Sequence, residues 1–294
     1  AGSTDNFIFR LAGTDYMTFR NMTFTSEGNA TYGYIFNIMG GATNIKILNN
    51  ILNRNTSSSS SSTAAIFSQG SLVGTTLLNN DNLTVTGNIF NGGYYGVSHR
   101  GYSSVMRSLG TVISNNTFNN QYNYSTYCLS LEGVTVENNI ITTNVTNTSF
   151  YNMYYSSCTG QISIRKNKMS GGLSGYGIYM VSCSGTSGGA IVANNFIHLG
   201  SAANTSSKYG VYLSGSSNIK LYHNNVNIQA PVATTGGYAL YIVDGSGIDV
   251  INNNLVSTGG GYAIYWNSIG GLGISNYNNL YTTGTNVGYS NATN

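Results

Sequence analysis

The chain has 294 residues, with 38 glycines, one proline, 24 tyrosines and only 6% charged residues, where an ordinary soluble domain carries roughly 25%. Lone Pro231 and the missing glycine at every third position exclude collagen, and the many aromatic and β-branched residues exclude a disordered chain. No run of 18 apolar residues offers a spanning helix, and a net charge of +3 without a basic block gives no footprint for nucleic acid.

The opening Ala1-Gly2-Ser3-Thr4-Asp5 is polar and turn-like, so the chain reads as a mature or excerpted segment. From Asp5–Arg10 onward, pairs of short alternating strands recur between Gly, Ser and Asn turns. One motif is two apolar residues one apart, one or two polar residues, Asn, any residue, then an apolar residue. It stands at Ile45–Leu52, Val134–Ile141, Ile162–Met169 and Ile248–Leu255. Its key asparagines are Asn21, Asn50, Asn88, Asn116, Asn139, Asn167, Asn195, Asn224 and Asn253, at steps of 29, 38, 28, 23, 28, 28, 29 and 29 residues. The long step holds the serine run Ser57–Ser62 and is read as a loop insertion near 54–63. After Asn253, Tyr277 stands where the next Asn is expected.

A second motif runs in phase with the first. It is clearest as Tyr176-Gly177-Ile178-Tyr179, Tyr209-Gly210-Val211-Tyr212, Tyr238-Ala239-Leu240-Tyr241 and Tyr262-Ala263-Ile264-Tyr265, and looser as Tyr95–Ser98 and Tyr127–Ser130. Its apolar centres are Ile8, Ile35, Ile66, Val97, Leu129, Met153, Ile178, Val211, Leu240 and Ile264. With no helical period anywhere, these repeats predict one all-β domain over 1–294. Its form is a single-stranded right-handed parallel β-helix of about ten coils, roughly 50 Å long at about 4.8 Å per coil.

The Asn-centred motif resembles the repeat of right-handed parallel β-helix proteins, the pectate-lyase-like superfold. The stretches Phe19–Phe24, Tyr32–Gly41 and Tyr-Gly-Ile-Tyr are similar in texture to secreted or cell-surface β-helix proteins of Bacteroidota. The resemblance implies a solenoid and leaves its use open, because this fold hosts lyases, hydrolases, tailspikes, adhesins and inert stalks.

Stacking explains the composition. Each side chain in a solenoid has copies one coil above and below, so charges meet their own kind while Asn can pair with Asn. The nine key asparagines are therefore expected to form a structural ladder that also shapes a tight turn. Lys220 and Asp249 fall at the same position of successive coils and are expected to form a solvated ion pair worth under about 1 kcal/mol.

Two aromatic rows flank the centres. Two residues before them lie Tyr95, Tyr127, Tyr151, Tyr176, Tyr209, Tyr238 and Tyr262. One residue after them lie Phe9, Phe36, Phe67, Ser98, Ser130, Tyr154, Tyr179, Tyr212, Tyr241 and Tyr265. Period-two alternation places this second row outside. There, Tyr154, Tyr179, Tyr212, Tyr241 and Tyr265 either bind a glycan or a partner, or stack across coils to stabilise the solenoid itself. A slip of one residue in coils one to three would turn Phe7, Phe9 and Leu11 inward.

Material for catalysis is scarce. A lyase needs clustered acids for Ca²⁺ and a basic residue for the proton, and a hydrolase needs neighbouring aspartates. The eight acids are scattered, and Asp244 and Asp249 straddle a turn. The best catalytic candidates are His99, Arg100, Arg107 and Glu132, with Arg100 and Glu132 expected to stack as an ion pair three residues past their centres. His198 and His223 are out of phase, so no metal site and no cofactor is expected. Cys158 and Cys183 each lie five residues past a centre. They are expected to stack with Cα atoms about 5 Å apart, as a disulfide or as a buried thiol pair, with Cys128 unpaired.

The sequence thus predicts an extracellular structural or adhesive segment, a surface stalk, adhesin or filament subunit, without catalytic activity. The alternatives are a glycan-binding module built on the tyrosine row and, further behind, a polysaccharide lyase or hydrolase. The expected partners are the chain itself, through end-to-end coil stacking, or surface glycans. No nucleic acid and no transmembrane segment is expected.

Overall fold

The computed structural model describes residues 6–26, 32–54, 59–172, 175–231, 236–267 and 271–291. Asp5 and residues 55–58, including Ser57 and Ser58, lie outside the described residues. Each coil gives one strand to each of three parallel sheets, and strand order in every sheet follows chain order. Coil six is representative, with strands Tyr151–Ser156, Ser163–Arg165 and Lys168–Gly171 in the first, second and third sheets. The second and third sheets have ten strands; the first has eleven, the last being Gly288–Ser290. In coils four to nine a two-residue strand, from Ser108–Leu109 to Gly245–Ser246, adds a short fourth sheet between the first and second. The protein is a parallel β-solenoid of about ten turns, with no α-helix among the described residues. Among the described residues no helix is long and apolar enough to cross a membrane.

The Asn-Asn pairs build the corner between the second and third sheets, and their two members do different work. The first turns the chain: Asn21, Asn49, Asn115, Asn138, Asn194 and Asn252 all have φ of 55–58°, the left-handed region that Asn tolerates best among non-glycine residues. The second points inward and is buried. From Asn50 to Asn253, each side-chain Nδ2 donates to the Oδ1 of the next coil's Asn at 2.9–3.1 Å. Its other hydrogen goes to an inward carbonyl of the coil before, as Asn167 donates to Val136 O at 2.9 Å.

The ladder corrects the reading at both ends. Asn21 is a turn residue, and Met22 holds the ladder position in coil one, donating its N–H to Asn50 Oδ1 at 3.0 Å. At the other end the ladder reaches Asn278, which accepts from Asn253 at 3.1 Å, while Tyr277 takes the turn with φ of 55°. Part of the long step between Asn50 and Asn88 is a β-hairpin, Ser71–Val73 with Thr76–Leu78, projecting from coil three.

Stacked apolar columns fill the interior. The second sheet contributes Ile47 through Val250, and the third Leu52 through Leu255. On the first sheet the register corrects three centres. Phe9 pairs with Phe36 and Phe36 with Ile66, so coils one and two are centred one residue later than Ile8 and Ile35. Phe9 and Leu11 accordingly join the core, whereas Phe7 packs with Tyr34, Ala64 and Tyr95 on the outer face. In coil five Thr126, rather than Leu129, pairs with Val97 and Met153. The motif there is Tyr124-Ser125-Thr126-Tyr127, disguised by a polar centre.

One residue per coil is passed over by the pairing of the first sheet: Gly96, Ser125, Asn152, Gly177, Gly210, Ala239 and Ala263. These residues are buried against the third sheet, and a Cβ on Gly210 would collide with Val226 Cγ1. Two inward residues in succession shift the alternation, so tyrosines three apart both face outward.

Candidate functional site

The Tyr-x-x-Tyr spacing and the skipped residue together make one aromatic face. Its first column is Tyr95, Tyr124, Tyr151, Tyr176, Tyr209, Tyr238 and Tyr262, with successive ring centroids 4.5–5.9 Å apart and planes within 13°. The second is Tyr127, Tyr154, Tyr179, Tyr212, Tyr241, Tyr265 and Tyr289, at 4.5–5.4 Å and within 14°. From coil five to coil ten, rings of the two columns meet edge to face within each coil, at 72–85°. Tyr127 therefore belongs to the outer second column. Ser130, assigned to that row from the sequence, is instead a turn residue with φ of 55°.

This geometry decides what the face can offer. Each ring inside a column has its two faces covered by the rings above and below, so solvent there meets ring edges and hydroxyls. A sugar cannot lie flat on these rings as it would on an isolated tyrosine. Burial, then the neighbouring phenols, pushes the Tyr154 and Tyr238 hydroxyls up to about 12. They stay protonated hydrogen-bond donors across the physiological range.

In coil four the second column lacks a ring, because Ser98 stands there. Arg100 fills the gap. Its guanidinium carbon lies 5.2 Å from the Phe67 centroid of coil three and 4.8 Å from the Tyr127 centroid of coil five, and its Nε donates to Ser98 Oγ at 3.1 Å. Removing it with Arg100→Ala is expected to cost about 1–2 kcal/mol, measured by urea unfolding. Arg100→Lys should recover little of that, because an ammonium cannot replace a planar stacked group.

The catalytic candidates are not brought together. His99 points into the core, fully buried with both ring nitrogens unpartnered, while Arg100 points out. The expected Arg100–Glu132 ion pair does not form, because with coil five centred on Thr126, Arg100 lies opposite Leu129. Glu132 sits in the short fourth sheet between Leu109 and Thr159. Arg107 is bound elsewhere, donating to Ser157 O at 3.2 Å. Asp244 and Asp249 tie coils together by accepting from Gly215 N and Ile274 N. Lys220 and Asp249 do share a register position, but the ion pair found among the described residues is Arg165–Glu137, at 4.0 Å. His198 lies opposite Asn227, and His223 occupies a turn with φ of 54°. Among the described residues no three His, Cys, Asp or Glu side chains converge as a metal site. The buried ladder asparagines have both donors and the acceptor engaged, leaving nothing for a ligand.

One feature escaped the sequence. A cleft of about 420 Å³ opens on the outer face of coils two and three, lined by Arg10, Tyr34, Asn37, Phe67, Gln69 and Tyr102. The hairpin after Gly70 supplies Ser71 and Leu72 to its wall. The only hint in the sequence was the extra length of that coil. No family model, curated protein or solved structure matches the chain.

Proposed function

We propose that the chain is a segment of an extracellular structural or adhesive rod, a stalk, adhesin or filament subunit, which contacts its surroundings through the tyrosine face and carries no catalysis. The carrying observation is that fourteen tyrosines stack in two continuous columns along the solenoid, as in a seam that stiffens a rod. Dispersal of His99, Arg100, Arg107 and Glu132 supports the same reading. Within this proposal, the resemblance of the Asn-centred repeat to that of pectate-lyase-like β-helix proteins, of the kind carried on Bacteroidota surfaces, supports a surface rod. A second reading is favoured by the hydroxyl-lined edge and the adjoining cleft, namely that the face binds a glycan by hydrogen bonds rather than by stacking.

Tyrosine substitutions separate the two. Tyr212→Ala removes stacks on Tyr179 and Tyr241 and edge contacts with Tyr176 and Tyr209. It is expected to lower stability by about 2 kcal/mol. Tyr212→Phe with Tyr241→Phe keeps the rings and deletes the hydroxyls. A structural seam leaves glycan-array binding absent in both proteins. A glycan face shows binding that weakens about tenfold in the Phe variant at unchanged stability. Unsaturated products released from polyuronates would overturn the non-catalytic reading. Filament assembly predicts end-to-end particles by electron microscopy, and dispersed monomers at high concentration would count against it.

A further inference from the structure

All three cysteines are free and buried. Thr159 pairs with Ser184 and Gly160 with Gly185, so Cys158 and Cys183 hold the same place in coils six and seven, joined through Ser184 N–H to Cys158 O at 2.9 Å. Neighbouring parallel strands lie about 4.8 Å apart, within the Cα separation a disulfide spans. Each thiol donates to the carbonyl two residues before it, Cys158 Sγ to Ser156 O and Cys183 Sγ to Val181 O, both at 3.5 Å. Cys128 is on a different column, opposite His99 and Tyr155, and Cys158 Sγ reaches its carbonyl at 3.6 Å rather than its sulfur.

We propose that Cys158 and Cys183 are a modification site that closes into a disulfide linking coils six and seven, by exchange with a small-molecule disulfide such as oxidised glutathione. Cys158 attacks first and Cys183 resolves; the reverse order gives the same bond.

The exchange balances in two steps. Cys158 gives up its proton and attacks one sulfur of the small disulfide, and the thiolate expelled takes up that proton. Cys183 then loses its proton and attacks the Cys158 sulfur, expelling the second thiolate, which is protonated in turn. Two protein thiols are oxidised and one disulfide is reduced to two thiols. Both sulfurs are shielded from solvent in the folded coil, so the bond closes while coils six and seven assemble.

This inference is independent of what the tyrosine face binds. Its test compares the whole chain exported to an oxidising compartment with the same chain made in a reducing cytosol, each denatured and alkylated. The exported protein should alkylate at Cys128 alone and yield a linked Cys158–Cys183 peptide by mass spectrometry, while the cytosolic protein alkylates at all three. Exported Cys128→Ser should keep the linked peptide, and exported Cys183→Ser should lose it and alkylate twice. Three alkylated cysteines in the exported protein, or a linkage through Cys128, would overturn the proposal.

Discussion

Replacing Asn167 with alanine is expected to lower the unfolding free energy by about 3–5 kcal/mol, one of the largest losses available to a single polar residue here. The Asn167 carboxamide accepts from both Asn139 N and Asn139 Nδ2 at 3.0 Å. It donates to Asn195 Oδ1 at 3.0 Å and Val136 O at 2.9 Å. The methyl group of alanine leaves all of these buried groups without their partner, at about 1–3 kcal/mol apiece before relaxation. Its neighbour in the repeat makes the control. Asn138 sits on the adjacent corner, exposed and left-handed at φ of 56°, so Asn138→Gly should be close to neutral. Urea unfolding of both variants checks the contrast. An Asn167→Ala loss below that of Asn138→Gly would show that the ladder contributes little.

Acid is expected to weaken the fold well before the carboxylates titrate, and His99 is the cause. Burial without a hydrogen-bond partner lowers its pKa from the ordinary 6.5 to about 3. Above pH 6.5 the imidazole is neutral in both states and contributes no pH dependence. Between about 6.5 and 3 the unfolded chain binds a proton that the folded one refuses, so stability falls as pH falls, by up to about 1.4 kcal/mol per pH unit. The loss amounts to about 2 kcal/mol at pH 5 and about 3 kcal/mol at pH 4. His99→Met keeps the volume and removes the titration, and the slope should flatten over that range. Urea midpoints measured from pH 4 to 7 decide it. A wild-type curve already flat over that range would mean that His99 finds a proton acceptor in the fold.

The solenoid, its coil count and most of the ladder were legible because a fixed period writes itself repeatedly into the chain. The stacking of Cys158 on Cys183 and the shared register of Lys220 and Asp249 followed from the same period. What misled was local. Adjacent asparagines look alike in sequence, yet one turns the backbone and the other closes a ladder, so nothing in the sequence marks Asn21 as a turn residue or sets Asn278, behind Tyr277, in the ladder. Leu129 looks like a core centre and Thr126 does not, although the Tyr-x-x-Tyr frame around Thr126 is the better guide. The skipped residue on the first sheet breaks simple alternation. For that reason the two tyrosine rows read as separate features instead of one face; the Arg100 insertion has no sequence signature, and the cleft beside Phe67 shows only as the extra length of its coil.

The two tyrosine columns also have an optical consequence. Excitation absorbed by any phenol in them finds another ring within 5.9 Å along its column, and the chain's single tryptophan, Trp266, adjoins Tyr265 in coil ten. Ultraviolet energy entering at coil five can hop from ring to ring toward an indole sink near the far end. The ratio of tryptophan to tyrosine emission is then a built-in gauge of whether the columns are continuous, readable in solution without any label.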